Sequence, residues 1–207
     1  MRLILPFTIT ILVLFTCLGL VHYPGKSTGA ALSNNLPAIS KIRMDEALAF
    51  CRKQKMDTGT AFFVDMSIHS GKKRFFIVDL QKAAILSSGL CCHGMGKEST
   101  GEKPVFSNGN GSYCTSLGKY KTGTRAYSQF GIHVHYKLHG LETTNSNAFK
   151  RIVVLHSYDP VSEKEIYPEH LPMGWSLGCP VVSNNMMTAV DALLSSRKTP
   201  VLLWIYN

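Results

Sequence analysis

The stretch Trp175-Ser176-Leu177-Gly178-Cys179-Pro180-Val181-Val182 holds a cysteine between a glycine and a proline. Glycine takes backbone angles closed to other residues, and proline fixes the backbone just after the thiol. Such a turn presents a side chain outward on a rigid support, as a nucleophile requires. The strand-like run 151–156 lies upstream and ends in His156. A cysteine with a histidine beside it in space is the minimum for acyl transfer by a thiol; the alternative is a buried structural cysteine.

The first residues of the chain have the composition of an export signal. Residues 3–21 are almost wholly apolar, follow Arg2, and precede the first acidic residue, Asp45. This pattern predicts a signal peptide or a membrane anchor over residues 1–31, with small residues at 27–31 for cleavage. Cleavage and anchoring both stay open, and either puts the rest of the chain outside the cytoplasm. The 207 residues then leave room for one domain of ordinary size.

The charge balance is basic, with a formal net charge of +9. Removing residues 1–31 deletes Arg2 and Lys26 and no acids, which leaves +7. A basic exported protein suits an anionic partner such as a cell-wall polymer, a phospholipid surface or nucleic acid, although scattered charges also fit a solvated surface. Nucleic acid is not expected, because the chain has no arginine-rich run, zinc-finger spacing or aromatic RNA motif. A glycine-rich phosphate loop is also missing, which argues against nucleotide binding.

Five cysteines follow the apolar segment, at Cys51, Cys91, Cys92, Cys114 and Cys179. An odd number in an oxidising compartment leaves at least one thiol unpaired within the chain, and Cys179 is the candidate. Cys92 and Cys114 are a candidate disulfide, but the sequence does not determine the pairing.

Hydrophobic periodicity predicts a mostly β fold with two flanking helices. The first helix, at about 42–55, has helical spacing of its apolar residues Ile42, Met44, Ala47, Leu48 and Cys51. Ser183 is suited to cap the second, at about 184–196. Seven strands are predicted at 61–66, 74–79, 83–92, 118–123, 130–139, 151–156 and 200–206. Residues 93–117 form a long loop, and residues 32–40 a linker that leads into a single domain over 41–207.

The run 130–139 alternates strictly, with apolar residues on one face and His133, His135 and His139 on the other. Three interpretations of this histidine row stay open: solvent-facing residues, a wall of a substrate groove, or a metal site. The metal interpretation is the weakest, because no carboxylate at matching spacing completes a ligand set. No metal is therefore expected.

Several segments in order resemble the L,D-transpeptidase catalytic domain family that acts on murein. They are 140–142, 145–148, 151–156 and the element Ser176-x-Gly178-Cys179-Pro180. The resemblance runs from about residue 47 to 206 and is strongest to the murein L,D-transpeptidase catalytic domain-like branch. It implies a β-sandwich-like fold, no cofactor, Cys179 as nucleophile, His156 as its base, and a turn shaped by Ser176 and Gly178. With the export segment it implies the periplasm or cell envelope, either free or anchored in the inner membrane.

The implied substrate is a peptidoglycan stem peptide. Cys179 would attack the bond between a diamino acid and the terminal D-Ala of a tetrapeptide, and the acyl group would pass to an amine. Transfer to water, as in an L,D-carboxypeptidase, and a catalytically silent envelope-binding module are the rival functions. The oligomeric state is not indicated.

The chain also departs from the family pattern. It has His156-Ser157 where most members have His-Gly, Leu177 where they have a second histidine, and Val181-Val182 where an arginine is common. These departures leave the contact with a substrate carboxylate undefined. His139-Gly140 also has the His-Gly dipeptide, but it lies far from the cysteine, so His156 is preferred.

Other expectations concern the surroundings of the thiol. Pro180 has no N–H, so oxyanion donors are expected from Cys179 with Gly178, Leu177 or a neighbouring strand. The imidazole is expected to be oriented by a backbone carbonyl or by an Asp or Asn side chain. His135, His139 and Trp175 are the candidates for a substrate groove.

Overall fold

The structure is a computed structural model and describes residues 39–207. The predicted signal or anchor at 1–31, and most of the predicted linker, lie outside this range. Within it, no helix has both the length and the apolar character needed to cross a membrane. Ile39, at the end of the predicted linker, is buried, and Ser40 already belongs to the start of the first helix.

Helix α1 spans Lys41–Lys53, close to its prediction. The Ser40 hydroxyl accepts a hydrogen bond from the Arg43 amide at 3.3 Å, which caps the helix. The buried face consists of Met44, Ala47 and Cys51. Ile42 was expected on that face but is 80% exposed. It precedes Met44 by only two positions, which puts it on a different side of the helix.

Helix α2 spans Asn184–Ser195, and the Ser183 hydroxyl accepts from the Met186 amide, so the predicted cap is confirmed. Met186, Met187, Val190 and Leu194 pack into the main hydrophobic core. Burying side chains of this kind contributes about 1.5–3 kcal/mol each.

Residues 39–207 contain nine strands besides the two helices, against about seven predicted. They are β1 (Thr60–Asp65), β2 (Phe75–Asp79), β3 (Ala84–Gly89), β4 (Cys91–Cys92), β5 (Gly118–Tyr127), β6 (Val134–Gly140), β7 (Val154–Ser157), β8 (Val181–Val182) and β9 (Leu202–Tyr206). They pair in the order β3-β2-β1-β9-β5-β6-β7-β8-β4. The predicted mostly β fold with two helices is confirmed, and the first three strands form an antiparallel meander.

The two ends of this strand order are joined by a single residue. Strand β3 ends at Gly89 on one edge, and β4 begins at Cys91 beside β8 on the other. Only Leu90 separates them, so the sheet wraps nearly into a barrel. The single strand expected over 83–92 is therefore two strands with different partners.

Arg74 is buried and binds the chain on both sides of Leu90. Its backbone N–H donates to the Gly89 carbonyl at 3.0 Å, and its Nε donates to the Cys91 carbonyl at 2.8 Å. Its two terminal nitrogens donate to Ile68 O and His93 Nδ1. The residue is 1% exposed, and these neutral acceptors surround a buried cation.

The histidine-rich strand keeps its predicted alternation but starts later. Val134, Tyr136 and Leu138 are buried, as expected. His133 has φ of 60°, so residues 130–133 form a turn rather than the first part of the strand. In β5 the opposite occurs, because the short strand expected at 118–123 continues to Tyr127.

The strand expected at 151–156 begins only at Val154, because Ile152 adopts a left-handed backbone with φ of 57°. Strand β7 runs parallel to β8, with His156 opposite Val181. The His156 amide is 3.5 Å from the Pro180 carbonyl that it faces. This pairing carries the cysteine turn to the side of the histidine strand.

Replacing Arg74 with alanine should lower the free energy of unfolding by about 2–4 kcal/mol, because two buried acceptors and one part-buried acceptor lose their donor. Urea denaturation measures the change. Arg52→Ala, in the last turn of α1, is the matched control and should change the value by about 0.5 kcal/mol or less. Equal effects of the two substitutions would contradict the role given to Arg74.

Candidate active site

The cysteine turn is held together by the hydroxyl of Ser176. Its Oγ accepts from the Gly178 amide at 3.0 Å and donates to the Cys179 carbonyl at 2.6 Å. Ser176 is 3% exposed, so water does not compete for these two bonds. The hydroxyl therefore fixes the backbone on both sides of the cysteine.

Gly178 is required at its position by conformation and by space. Its φ is 112°, a value that side-chain-bearing residues rarely adopt. A Cβ at this position would lie 2.7 Å from the Cys114 carbonyl oxygen and 3.0 Å from Arg151 Nη2. Its N–H already donates to Ser176 Oγ. Among the expected oxyanion donors, the Gly178 amide is therefore the one that already has an acceptor. No residue between 39 and 207 accepts a hydrogen bond from the Cys179 amide.

Arg151 binds the long loop that lies beside this turn. Its Nη1 donates to Ser107 O at 3.0 Å and to Ser116 Oγ at 2.6 Å, and its Nη2 donates to Cys114 O at 2.7 Å. From the sequence, Arg151 was expected only to begin a strand.

Cys179 is half-buried, and its sulfur contacts the backbone of the preceding segment. The Val154 amide donates to Sγ at 3.4 Å, and Sγ lies 3.9 Å from the Ile152 carbonyl oxygen. Burial raises the pKa of the Cys179 thiol, while the Val154 amide and the charge of Arg151 oppose that shift. The resting side chain is a neutral thiol.

The other four cysteines that the structure describes are buried free thiols. The candidate disulfide between Cys92 and Cys114 is not formed in this structure. Burial raises the pKa of Cys51 and Cys91 to about 12, which keeps these thiols protonated.

His156 is 8% exposed, and a backbone carbonyl orients its ring. Nδ1 lies 2.9 Å from Ser157 O, and because a carbonyl only accepts, Nδ1 carries the proton. Nε2 is then the unprotonated nitrogen. Burial lowers the pKa of His156; the Ser157 carbonyl opposes this shift and the neighbouring His135 adds to it. The imidazole is therefore neutral at pH 7.

His156 and Cys179 line the same cavity, which has a volume of about 390 Å³. His135 and Trp175, two of the groove candidates, also line it, together with Tyr127 and Phe130. Phe130 packs on His156 with ring centroids 5.7 Å apart. We call this the aromatic cavity. Within the described chain the imidazole and the sulfur do not hydrogen-bond to each other.

His139, the third groove candidate, lies elsewhere. It stacks on Phe149 at 4.8 Å and lines neither of the two cavities that Cys179 reaches. His133 stacks on Tyr127 in the turn before β6. Residues 39–207 contain no group of three His, Cys, Asp or Glu side chains arranged for a metal ion.

A second cavity, of about 540 Å³, also reaches Cys179. Cys179 and Leu177 line both cavities, whereas His156 lines only the aromatic one. The other residues of the second cavity are Asn110, Gly111, Tyr113, Lys150, Arg151 and Ile152. We call it the basic cavity, after Lys150 and Arg151.

Residues 37–206 match the family model described as L,D-transpeptidase catalytic domain. Among solved structures, the L,D-transpeptidase (residues 123–326) from Xylanimonas cellulosilytica DSM 15894 is similar at 13% identity and TM-score 0.39, over 72% of this chain and 60% of that chain. The helical cell shape determining protein Pgp2 from Campylobacter jejuni is similar at 11% identity and TM-score 0.45, over 81% of this chain and 56% of that chain. This chain thus spans less than two thirds of either structure. No curated protein matches it.

Alkylation of Cys179 by iodoacetamide should be slower at pH 7 than alkylation of a free cysteine. Because burial raises the thiol pKa, the rate should keep rising as pH increases beyond 9. Peptide mass spectrometry assigns the modified residue, and the four buried thiols serve as internal controls. A rate that is already constant between pH 5 and 8 would mean that the thiolate is preformed.

Proposed function

This chain belongs to the L,D-transpeptidase catalytic domain family, and on that premise we propose that it is an exported cysteine acyltransferase acting on peptidoglycan stem peptides. The bond cleaved is the one before the terminal D-Ala of a tetrapeptide, and the acyl group passes from Cys179 to an amine. The observation that carries the proposal is the shared cavity of Cys179 and His156, whose Nδ1 lies 2.9 Å from the Ser157 carbonyl oxygen. The export part rests on the apolar residues 3–21.

The first step joins the Cys179 sulfur to the substrate carbonyl carbon. Since both side chains are neutral at rest, the thiol loses its proton to His156 Nε2 as the S–C bond forms. The hydrogen bond from Nδ1 to Ser157 O strengthens as the ring becomes an imidazolium. Ser157 O therefore has the role that a carboxylate has in other catalytic triads.

The second step breaks the C–N bond. The imidazolium returns its proton to the departing D-Ala nitrogen, which leaves a thioester on Cys179. An amine of a second stem then attacks the thioester carbonyl and gives a proton to His156. The thiolate leaves and is reprotonated, so the enzyme regenerates without a cofactor.

The developing oxyanion needs N–H donors close to the cysteine. The Cys179 amide is the donor proposed here, because it has no acceptor among residues 39–207, whereas the Gly178 amide is bound to Ser176. Ser176 and Gly178 then act as positioning residues that orient the Cys179 amide. Trp175 and His135 act as walls of the groove.

Mass spectrometry of a murein tetrapeptide incubated with the protein tests the proposal. Wild type should release D-Ala and form crosslinked dimer, and Cys179→Ala should release none. His156→Ala should lower the rate about 10²–10⁴-fold, because it removes the general base. His139→Ala is the matched control and should stay within about threefold, since His139 lines neither cavity.

The products also separate the rival functions. Tripeptide without dimer would identify an L,D-carboxypeptidase, in which water accepts the acyl group. The absence of D-Ala release from wild type would leave the envelope-binding module. Loss of activity in His139→Ala with full activity in His156→Ala would exchange the roles given to the two histidines.

A further inference from the structure

Charged side chains line the basic cavity but not the aromatic cavity. Its lining includes Lys150 and Arg151 and no acidic residue, whereas no Lys, Arg, Asp or Glu lines the aromatic cavity. Neither cation forms a salt bridge with an acid in residues 39–207. A cavity with uncompensated positive charge next to a nucleophile favours an anionic ligand group.

The two cations differ in what they can do. The Arg151 guanidinium is committed to three oxygens of the surrounding loop, so it contributes charge but holds the backbone in place. Lys150 is exposed, and its Nζ has no hydrogen-bond partner among the described residues. Its three N–H donors are therefore available to a ligand.

The proposed reaction decides which part of the substrate enters which cavity. His156 must protonate the departing amine and later deprotonate the attacking amine, so both amines approach from the aromatic cavity. The acyl portion of the donor then extends away from His156 on the other side of the sulfur. The basic cavity also reaches Cys179 and is not lined by His156.

From this we propose that Lys150 is a specificity-determining residue that binds a carboxylate in the acyl portion of the donor stem. A free carboxylate in that portion of the stem would supply the charge that matches Lys150. Lys150 precedes β7 in the chain, so it supplies the cation from a different element than the arginine that commonly follows the cysteine in the family. This inference rests on the proposed function.

Calorimetric binding of tetrapeptide to Cys179→Ala protein tests the inference without turnover. Two stems are compared, one with free acyl-side carboxylates and one with the same carboxylates amidated. In the Cys179→Ala background, Lys150→Gln should weaken binding of the free stem about two- to fivefold, the effect of one exposed ion pair, and leave the amidated stem unchanged. Added salt should reduce the difference between the stems.

Lys53→Gln in the same background is the matched control, since Lys53 is exposed in the last turn of α1 and lines neither cavity. It should leave the binding of both stems unchanged. Equal weakening of both stems by Lys150→Gln, no weakening of either, or no binding of either stem would overturn the inference. Lys150-dependent binding without D-Ala release by wild type would sink the proposed function alone, and D-Ala release without Lys150 dependence would sink this inference alone.

Discussion

The parallel pairing of β7 with β8 is the interaction on which the site depends. It places His156 opposite Val181, two residues after the cysteine, although the two partners are 25 positions apart in the chain. Strand β8 has only two residues. It pairs with β7 on one side and with β4 on the other. The near closure of the sheet through Leu90 is what brings β4 to that place. A disruption of the β3–β4 connection would therefore displace β4 and β8, and with them the turn that holds Cys179.

Around the β7–β8 pair, polar contacts fix the backbone. Burial disfavours the charged forms of Cys179 and His156. Ser176 fixes the cysteine turn and Arg151 fixes the long loop beside it, while Ser157 O accepts from Nδ1 of His156. Burial moves the pKa of the thiol up and that of the imidazole down. Both shifts oppose a thiolate–imidazolium pair, so in the proposed reaction the proton transfer accompanies the attack. A substrate that excludes water and presents its carbonyl completes the conditions for that transfer.

Local periodicity predicted much of this fold. The cap at Ser183 and the alternation in β6 depend on neighbours within a few positions, and the structure has both. The break at Leu90 was not predictable in this way, because it follows from the pairing of β4 with β8. The same holds for Arg151, whose acceptor Ser107 lies 44 positions away. The cysteine and its histidine could be named from residue types, whereas their protonation follows from burial.

Nitrogen chemical shifts of the His156 ring, in isotope-labelled protein at pH 7, test most directly whether the nucleophile and its base are neutral at rest. The expected result is a protonated Nδ1 and an unprotonated Nε2, unchanged in Cys179→Ala protein. His156→Gln assigns the signals. A ring protonated on both nitrogens at pH 7 that loses one proton in Cys179→Ala would show a preformed ion pair and contradict a base that acts only as the attack occurs.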